Sequence, residues 1–209
     1  MNIDQFLHQL GQEKAIAILR THNQETAALA MEAAIRGGFK IIEFTLTIPG
    51  ACELIKDFST RGDVTVGAGT VLDTEEAERS IEAGARFLVS PVVDESVIRI
   101  ASERGVASIP GTYTASEMLQ AHKAGATVCK LFPCPYGGPA YVQAVLGPLP
   151  FLKIVPTDGV DHRNADAWIA AGAYAVGFVN SLFEPGFIAG SNWEAIEHRA
   201  VDCLQAVKH

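Results

Sequence analysis

The stretch R-F-L-V-S-P-V-V-D-E-S-V-I-R-I-A-S-E-R-G-V-A-S-I-P at 86–110 contains one complete strand–helix–strand unit. The apolar runs 86–90 and 106–110 have the length of buried strands, and the segment between them has apolar residues at helical spacing. Asp94 can cap this helix, because its side chain can accept a hydrogen bond from a backbone N–H of the first turn. Gly105 follows the helix, where a positive φ is common. The stretch therefore predicts two parallel strands joined by a helix.

The same unit recurs along the chain, which predicts a single-domain (β/α)₈ barrel over residues 1–209. The helical stretch 74–85 has its acids early, with Asp73 or Thr74 as the expected cap, and 191–209 is expected to form a last helix. An open doubly wound sheet is the alternative, but no G-x-G-x-x-G opens a helix. The candidate strands are 15–19, 40–46, 64–70, 86–90, 106–110, 127–132, 152–156 and 174–178. The glycines expected after helices are Gly38, Gly62, Gly84, Gly105, Gly125, Gly147 and Gly172.

Composition argues against several classes of partner. The 209 residues carry a net charge of −8 with no basic run, which disfavours nucleic acid as a partner. Neither a signal peptide nor an apolar run of membrane-spanning length is visible, so a cytoplasmic protein is expected. The four cysteines form no CxxC pair, which favours free thiols over a disulfide or zinc framework.

The charged residues of the strands fall into two groups. Lys40, Arg86 and Lys153 begin their strands and are expected at the N-terminal rim, where charge only solvates the barrel. Two other charged residues, Glu43 and Lys130, lie mid-strand among apolar residues. Alternation with period two places each of them on the face opposite the bulky apolar set, so both are expected to point into the barrel interior.

A lysine inside a barrel either lowers its pKa or finds an anion, because burying an unpaired ammonium is costly. A lysine with a lowered pKa can attack a carbonyl. The predicted second and sixth strands lie across the barrel from each other, so Lys130 and Glu43 would face one cavity as nucleophile and acid. A buried ion pair with no chemistry is the alternative.

Several short motifs resemble the 2-keto-3-deoxy-6-phosphogluconate and 4-hydroxy-2-oxoglutarate aldolase family in the same order along nearly the whole chain. They are E-F-T-L at 43–46, V-G-A-G-T-V-L at 66–72, V-S-P at 89–91, I-P-G at 109–111, T-x-S-E at 114–117 and K-L-F-P at 130–133. The resemblance implies a class I aldolase that needs neither a metal nor another cofactor. It also implies a small 2-keto acid substrate, pyruvate and an aldehyde as products, and a homotrimer.

The resemblance also implies roles for single residues. Lys130 would form the Schiff base and Glu43 would act as general acid and base. Thr70 would hold the carboxylate of the substrate, with Arg20 as a second partner. The imine would be walled by two further side chains, Pro91 and Phe132.

The chain departs from the family pattern where the substrate is recognised. Gluconate-type members have an arginine where this chain has Thr47, which can donate only one hydrogen bond. The T-G-G loop after the seventh strand is replaced by Thr157, Asp158 and Gly159. After the eighth strand, a small G-S step is replaced by bulkier residues, of which Val179 would narrow the approach, although Asn180 and Ser181 retain hydrogen-bond donors.

Asp158 leaves two alternatives open. A carboxylate that points inward would oppose a phosphate dianion and favour an uncharged, hydroxylated tail on the substrate. A carboxylate that points outward would cap the next helix and leave phosphate binding intact. The departures at the carboxylate and phosphate sites also leave another alternative open, a catalytically silent barrel that binds a keto acid or another metabolite. A metal-dependent lyase is less favoured, because no set of His, Asp and Glu residues lies at the ends of successive strands.

Overall fold

Eight strands alternate with helices in the computed structural model, which describes residues 1–208. The strands are β1 (Ala15–Leu19), β2 (Ile41–Thr45), β3 (Thr65–Gly69), β4 (Phe87–Ser90), β5 (Ala107–Thr112), β6 (Cys129–Leu131), β7 (Ile154–Pro156) and β8 (Val176–Phe178). The helices are α1 (Ile3–Glu13), α2 (Gln24–Arg36), α3 (Ala51–Ser59), α4 (Thr74–Glu82), α5 (Glu95–Glu103), α6 (Ala115–Lys123), α7 (Pro139–Leu146), α8 (Ala165–Ala170), α9 (Pro185–Ala189) and α10 (Trp193–Ala206). All eight predicted strands are present, and most are shorter than predicted by one or two residues at an end.

The strands pair in parallel in the order β7-β6-β5-β4-β3-β2-β1-β8. The first and last strands of that order meet through a bridge between Thr157 and Gly177 and a hydrogen bond of 2.8 Å from Tyr174 N to Ile154 O. The sheet is therefore a nearly closed (β/α)₈ barrel, and the open doubly wound alternative is wrong.

The two faces of the strands belong to two different apolar cores, as the period-two pattern predicts. Ile42, Phe44 and Leu131 face outward into the core between strands and helices. Ile41 and Val128 face inward into the core inside the barrel. This alternation turns Glu43 and Lys130, on the same strands, toward the barrel axis.

Helix α1 closes the N-terminal end of the barrel and was not predicted. Its side chains Phe6 and Leu10 are fully buried in the inner core, and the Phe6 ring stacks on Phe87 at a centroid distance of 5.0 Å. Phe87 fits because Gly67 lies beside it, where an added β-carbon would come within 2.4 Å of the ring. A capping box between Asn2 and Gln5 starts the helix.

Local helix signals were mostly interpreted correctly. Asp73 caps α4 and Asp94 caps α5, each through its side chain. Five of the seven glycines expected after helices have positive φ, but Gly147 has φ −53° and Gly62 also lies outside the left-handed region. The expectation of positive φ was therefore wrong at these two positions.

The helix expected over 191–209 is observed as α10, and its predicted last residue, His209, lies outside the described residues. Within residues 1–208, no helix combines the length and apolar character needed to cross a bilayer.

Candidate active site

A cavity of about 260 Å³, the lysine cavity, opens at the C-terminal end of the barrel, where this fold places functional side chains. Nine residues predicted for the site line it: Arg20, Glu43, Thr70, Pro91, Lys130, Phe132, Thr157, Asp158 and Asn180. Three further residues line it: Val179, which was expected to narrow the site after the eighth strand, and Ile18 and Thr45, which were not predicted for the site. The fold therefore brings most of the predicted site together in one place.

Lys130 occupies the middle of β6 between two buried residues, but is itself only half-buried because it faces the cavity. Its Nζ lies 4.9 Å from the centre of the Phe132 ring. Burial lowers the pKa of Lys130, and the nearby charge of Arg20 lowers it further, while Glu43 and Asp158 oppose the shift. The amine is thus both reachable and shifted toward its neutral, nucleophilic form.

Glu43 faces the same cavity from β2 and is 1% exposed. Burial raises the pKa of Glu43 despite the nearby charges of Lys130 and Arg20, which act in the opposite direction. Its Oε2 has no hydrogen-bond partner among residues 1–208. Gly69 on β3 makes room for the carboxyl group, since an added β-carbon there would lie 1.8 Å from Glu43 Oε1.

No ion pair forms between Lys130 and Glu43 in the part of the chain that the structure describes. The purely structural ion pair considered for these two residues is therefore not observed. The Glu43 carboxyl group and the Lys130 amine instead both face the open volume of the cavity. Proton transfer to a bound molecule requires this arrangement.

Arg20 lies at the mouth of the lysine cavity, just after β1. Its Nη2 donates a hydrogen bond of 3.1 Å to Thr70 Oγ1. Thr70 follows β3 with φ +60°, a conformation that is uncommon for a threonine. The bond holds the guanidinium over the cavity, where its remaining N–H groups can meet an anion.

Asp158 also lines the cavity and does not cap a helix. It has φ +72°, and α8 starts only at Ala165, with Asn164 at its cap position. In the loop before α8, the backbone N–H of Arg163 donates a hydrogen bond of 2.8 Å to the carboxylate of Asp161, not to that of Asp158. The capping alternative for Asp158 is therefore wrong.

Three of the predicted residues lie elsewhere. Thr47 is exposed and lies outside the lysine cavity, with its hydroxyl 2.8 Å from that of Thr45. Gly159 and Ser181 line a neighbouring cleft of about 260 Å³, the tail cleft, between the loop 157–161 after β7 and the segment 179–181 after β8. Asp158, Val179 and Asn180 line both the cleft and the cavity, so the two adjoin each other at these residues.

The two residues that were not predicted carried a usable signal. Ile18 lies two positions before Arg20, and Thr45 lies two positions after Glu43, so period-two alternation puts each on an inward face. Among residues 1–208, no three His, Cys, Asp or Glu side chains converge as a metal site would need.

The sequence matches the family model described as KDPG and KHG aldolase over residues 6–199. The chain belongs to the KDPG and KHG aldolase family. It is 37% identical over 194 residues to a probable 2-dehydro-3-deoxy-6-phosphogalactonate aldolase of Rhizobium meliloti (strain 1021), covering 91% of this chain and 90% of the relative.

Solved structures of similar proteins support the same membership in the KDPG and KHG aldolase family. A native KDPGal structure superposes with a TM-score of 0.83 at 32% identity, covering 92% of this chain and 93% of the other. A KDPG aldolase from Legionella pneumophila, with pyruvate captured as a covalent carbinolamine intermediate, superposes with a TM-score of 0.83 at 26% identity, covering 92% and 94%. This member of the family is an aldehyde-lyase of the KDPG aldolase type.

Proposed function

We propose that Lys130 forms a Schiff base with the ketone of a 2-keto-3-deoxy sugar acid or a related 2-keto acid, and that cleavage yields pyruvate and an aldehyde. One observation carries the proposal. The Lys130 amine and the Glu43 carboxyl group face the same cavity and do not form an ion pair. Burial lowers the pKa of the amine and raises the pKa of the carboxyl group. Shifts of this kind, in opposite senses, suit a nucleophile and a general acid.

The chemistry follows from these two groups. The neutral Lys130 amine attacks the ketone to give a carbinolamine, and protonated Glu43 donates a proton to the departing hydroxyl as water leaves. The Glu43 carboxylate then takes the proton of the C4 hydroxyl. The C3–C4 bond breaks, its electrons pass to the protonated imine, and the aldehyde is released. Protonation of the enamine at C3 and hydrolysis free pyruvate and regenerate Lys130.

The surrounding residues fit the binding of a 2-keto acid. Arg20 and Thr70 are proposed to hold the substrate carboxylate, because their hydrogen bond already aligns a cation and a hydroxyl at the cavity mouth. Pro91 and Phe132 are proposed to form the wall beside the imine. Thr45 is proposed to take the hydrogen-bonding role expected of Thr47, because Thr45 is the threonine that lines the cavity.

Borohydride trapping with pyruvate tests the proposal. We expect the intact mass to rise by one reduced pyruvyl group, with the modified peptide containing Lys130. Lys153 is a matched control, because it is a lysine directly before β7 at the opposite rim, with its Nζ 5.8 Å from the centre of the Tyr174 ring. The adduct should form in Lys153→Met and be absent from Lys130→Met. An unchanged mass in folded wild-type protein would contradict the proposal.

A panel of keto-deoxy acids then separates an aldolase from a barrel that only binds keto acids. Pyruvate release from at least one member is expected. An adduct on Lys130 without any release across the panel would favour a binding protein. The homotrimer that the resemblance implies stays a prediction, which sedimentation velocity can test.

A further inference from the structure

We propose, on the basis of the function proposed above, that Asp158 determines specificity and that the substrate carries an uncharged, hydroxylated tail instead of a phosphate. In barrels of this fold, a phosphate commonly binds at the loops after strands seven and eight. The tail cleft lies at that place and adjoins the lysine cavity through three shared lining residues. A substrate whose ketone reaches Lys130 therefore extends its far end toward Asp158.

The charges of the tail cleft disfavour a phosphate. It is lined by two carboxylates, Asp158 and Asp161, and by no lysine or arginine among the described residues. Asp161 is paired with Arg163 at 2.6 Å, which neutralises both. The Asp158 carboxylate has no ion-pair or hydrogen-bond partner within residues 1–208, so its charge is left to act on the bound molecule.

Arg199 lies near the tail cleft but does not line it, and it already has partners of its own. Arg199 donates a hydrogen bond of 2.7 Å to the Ser181 carbonyl and lies 3.7 Å from a carboxylate oxygen of Glu184. A unit negative charge about 4 Å from a phosphate weakens its binding by at least about 100-fold at an effective dielectric near 20. The tail cleft therefore opposes a dianion, and no lysine or arginine in its lining offsets the repulsion.

The other polar groups of the lysine cavity and the tail cleft suit a substrate tail that carries hydroxyl groups. Thr157 Oγ1 is buried, lines the lysine cavity and has no hydrogen-bond partner in the described chain. The Asn180 side chain lines both the cavity and the cleft and can donate and accept. The Ser181 hydroxyl already donates to Val160 O at 2.6 Å, so its proton is not available to a phosphate oxygen. A carboxylate accepts hydrogen bonds from hydroxyls, and Asp158 adds such an acceptor.

The backbone at Asp158 supports a functional reason for the carboxylate. Its φ of +72° is a conformation that glycine adopts at no cost, whereas other residues adopt it under strain. Strained residues that face a pocket are often retained for function. Asparagine and aspartate are the side chains that best tolerate this conformation, so Asp158→Asn removes the charge with little change in shape.

The test compares two substrates that differ only in a terminal phosphate, 2-keto-3-deoxygluconate and its 6-phosphate. The measured quantity is the ratio of kcat/KM for the phosphorylated substrate to that for the unphosphorylated one. Any effect of Asp158 on the Lys130 amine acts on both substrates and cancels in this ratio. We expect a ratio below one in the wild type and a rise of about 100-fold in Asp158→Asn and in Asp158→Gly. Asp202→Asn on α10, an exposed change of equal charge, should leave the ratio unchanged.

A wild-type ratio above one, or a ratio unchanged in both Asp158 variants, would overturn the inference. If turnover is too slow to measure, the concentration dependence of borohydride trapping with each substrate gives the corresponding ratio of affinities for imine formation. Failure of the proposed function has a different signature, namely no adduct on Lys130 with pyruvate. An adduct on Lys130 together with an unchanged ratio removes only the role of Asp158.

Discussion

The two ends of the barrel are occupied by opposite kinds of side chain, although the same eight strands build both. At the N-terminal end, α1 inserts Phe6 and Leu10 against Phe87, and all three are fully buried. At the C-terminal end, Lys130 and Glu43 face open volume without an ion pair. Burying a large apolar side chain stabilises the fold by about 1.5–3 kcal/mol, whereas burying ionisable groups costs stability. The apolar burial at the N-terminal end thus offsets the cost of burying ionisable groups at the other end.

The largest expected effect comes from removing the amine. Lys130→Met should lower turnover by on the order of 10⁴-fold or more, because the covalent step is lost. The free energy of unfolding should not fall, because the variant no longer removes an ionisable amine from water. Pyruvate release and urea unfolding measure the two quantities. Lys153→Met should keep turnover near the wild-type value, and equal activity in both variants would refute the role of Lys130.

At the other end, Phe6→Ala should reverse this pattern. The expected loss is about 3–5 kcal/mol in the free energy of unfolding, because the change leaves a cavity in the inner core. Under conditions where the variant is folded, kcat/KM should stay within about threefold of wild type, because α1 does not contact the lysine cavity. Phe151→Ala, which removes a phenylalanine that is 49% exposed, should cost much less. A large loss of kcat/KM in folded Phe6→Ala would mean that the two ends are coupled.

Glu43→Gln should lower kcat by about 10²–10³-fold, because the general acid and base is lost while the shape is kept. Adduct formation with pyruvate should slow as well, and the trapped product should still map to Lys130. Glu82→Gln, an exposed change on α4, provides the matched control. An unchanged kcat in Glu43→Gln would leave Glu43 without a catalytic role.

The same variant should change how stability depends on pH. Burial raises the pKa of Glu43, so the native state holds a proton that the unfolded chain loses above its ordinary pKa of about 4.3. The contribution of Glu43 to stability is therefore full below about pH 4 and is lost as the pH rises through the raised pKa. Urea unfolding between about pH 4 and 8 should show Glu43→Gln gaining stability relative to wild type as the pH rises. A constant difference would contradict the raised pKa.

The smallest effect is expected at Thr47, which lies beside the site but outside the cavity. Thr47→Ala should change the free energy of unfolding by no more than about 0.5 kcal/mol and KM by less than about threefold. Thr45→Val should raise KM more, because it removes a hydroxyl that lines the cavity. A tenfold rise of KM in Thr47→Ala would restore Thr47 to the substrate site.

Much of the fold and site could be predicted because the signals are local. Alternation along β2 and β6 was enough to place Glu43 and Lys130 inside the barrel. Alternation extended from Glu43 would also turn Thr47 inward, but β2 ends at Thr45 and alternation does not continue past the end of a strand. Helix α1 was missed although its capping box is local, because its burial depends on contact with Phe87, which is distant in sequence.

The sequence by itself determined the eight βα units, the inward direction of Glu43 and Lys130 and the family of the chain, because each depends on short-range periodicity and ordered motifs. Tertiary structure alone decided that Asp158 lines the cavity instead of capping α8, and that Gly69 leaves room for the Glu43 carboxyl group. The physical reason is that a side chain in a loop takes its direction from the turn and its surroundings from distant strands, and neither is encoded in the local pattern.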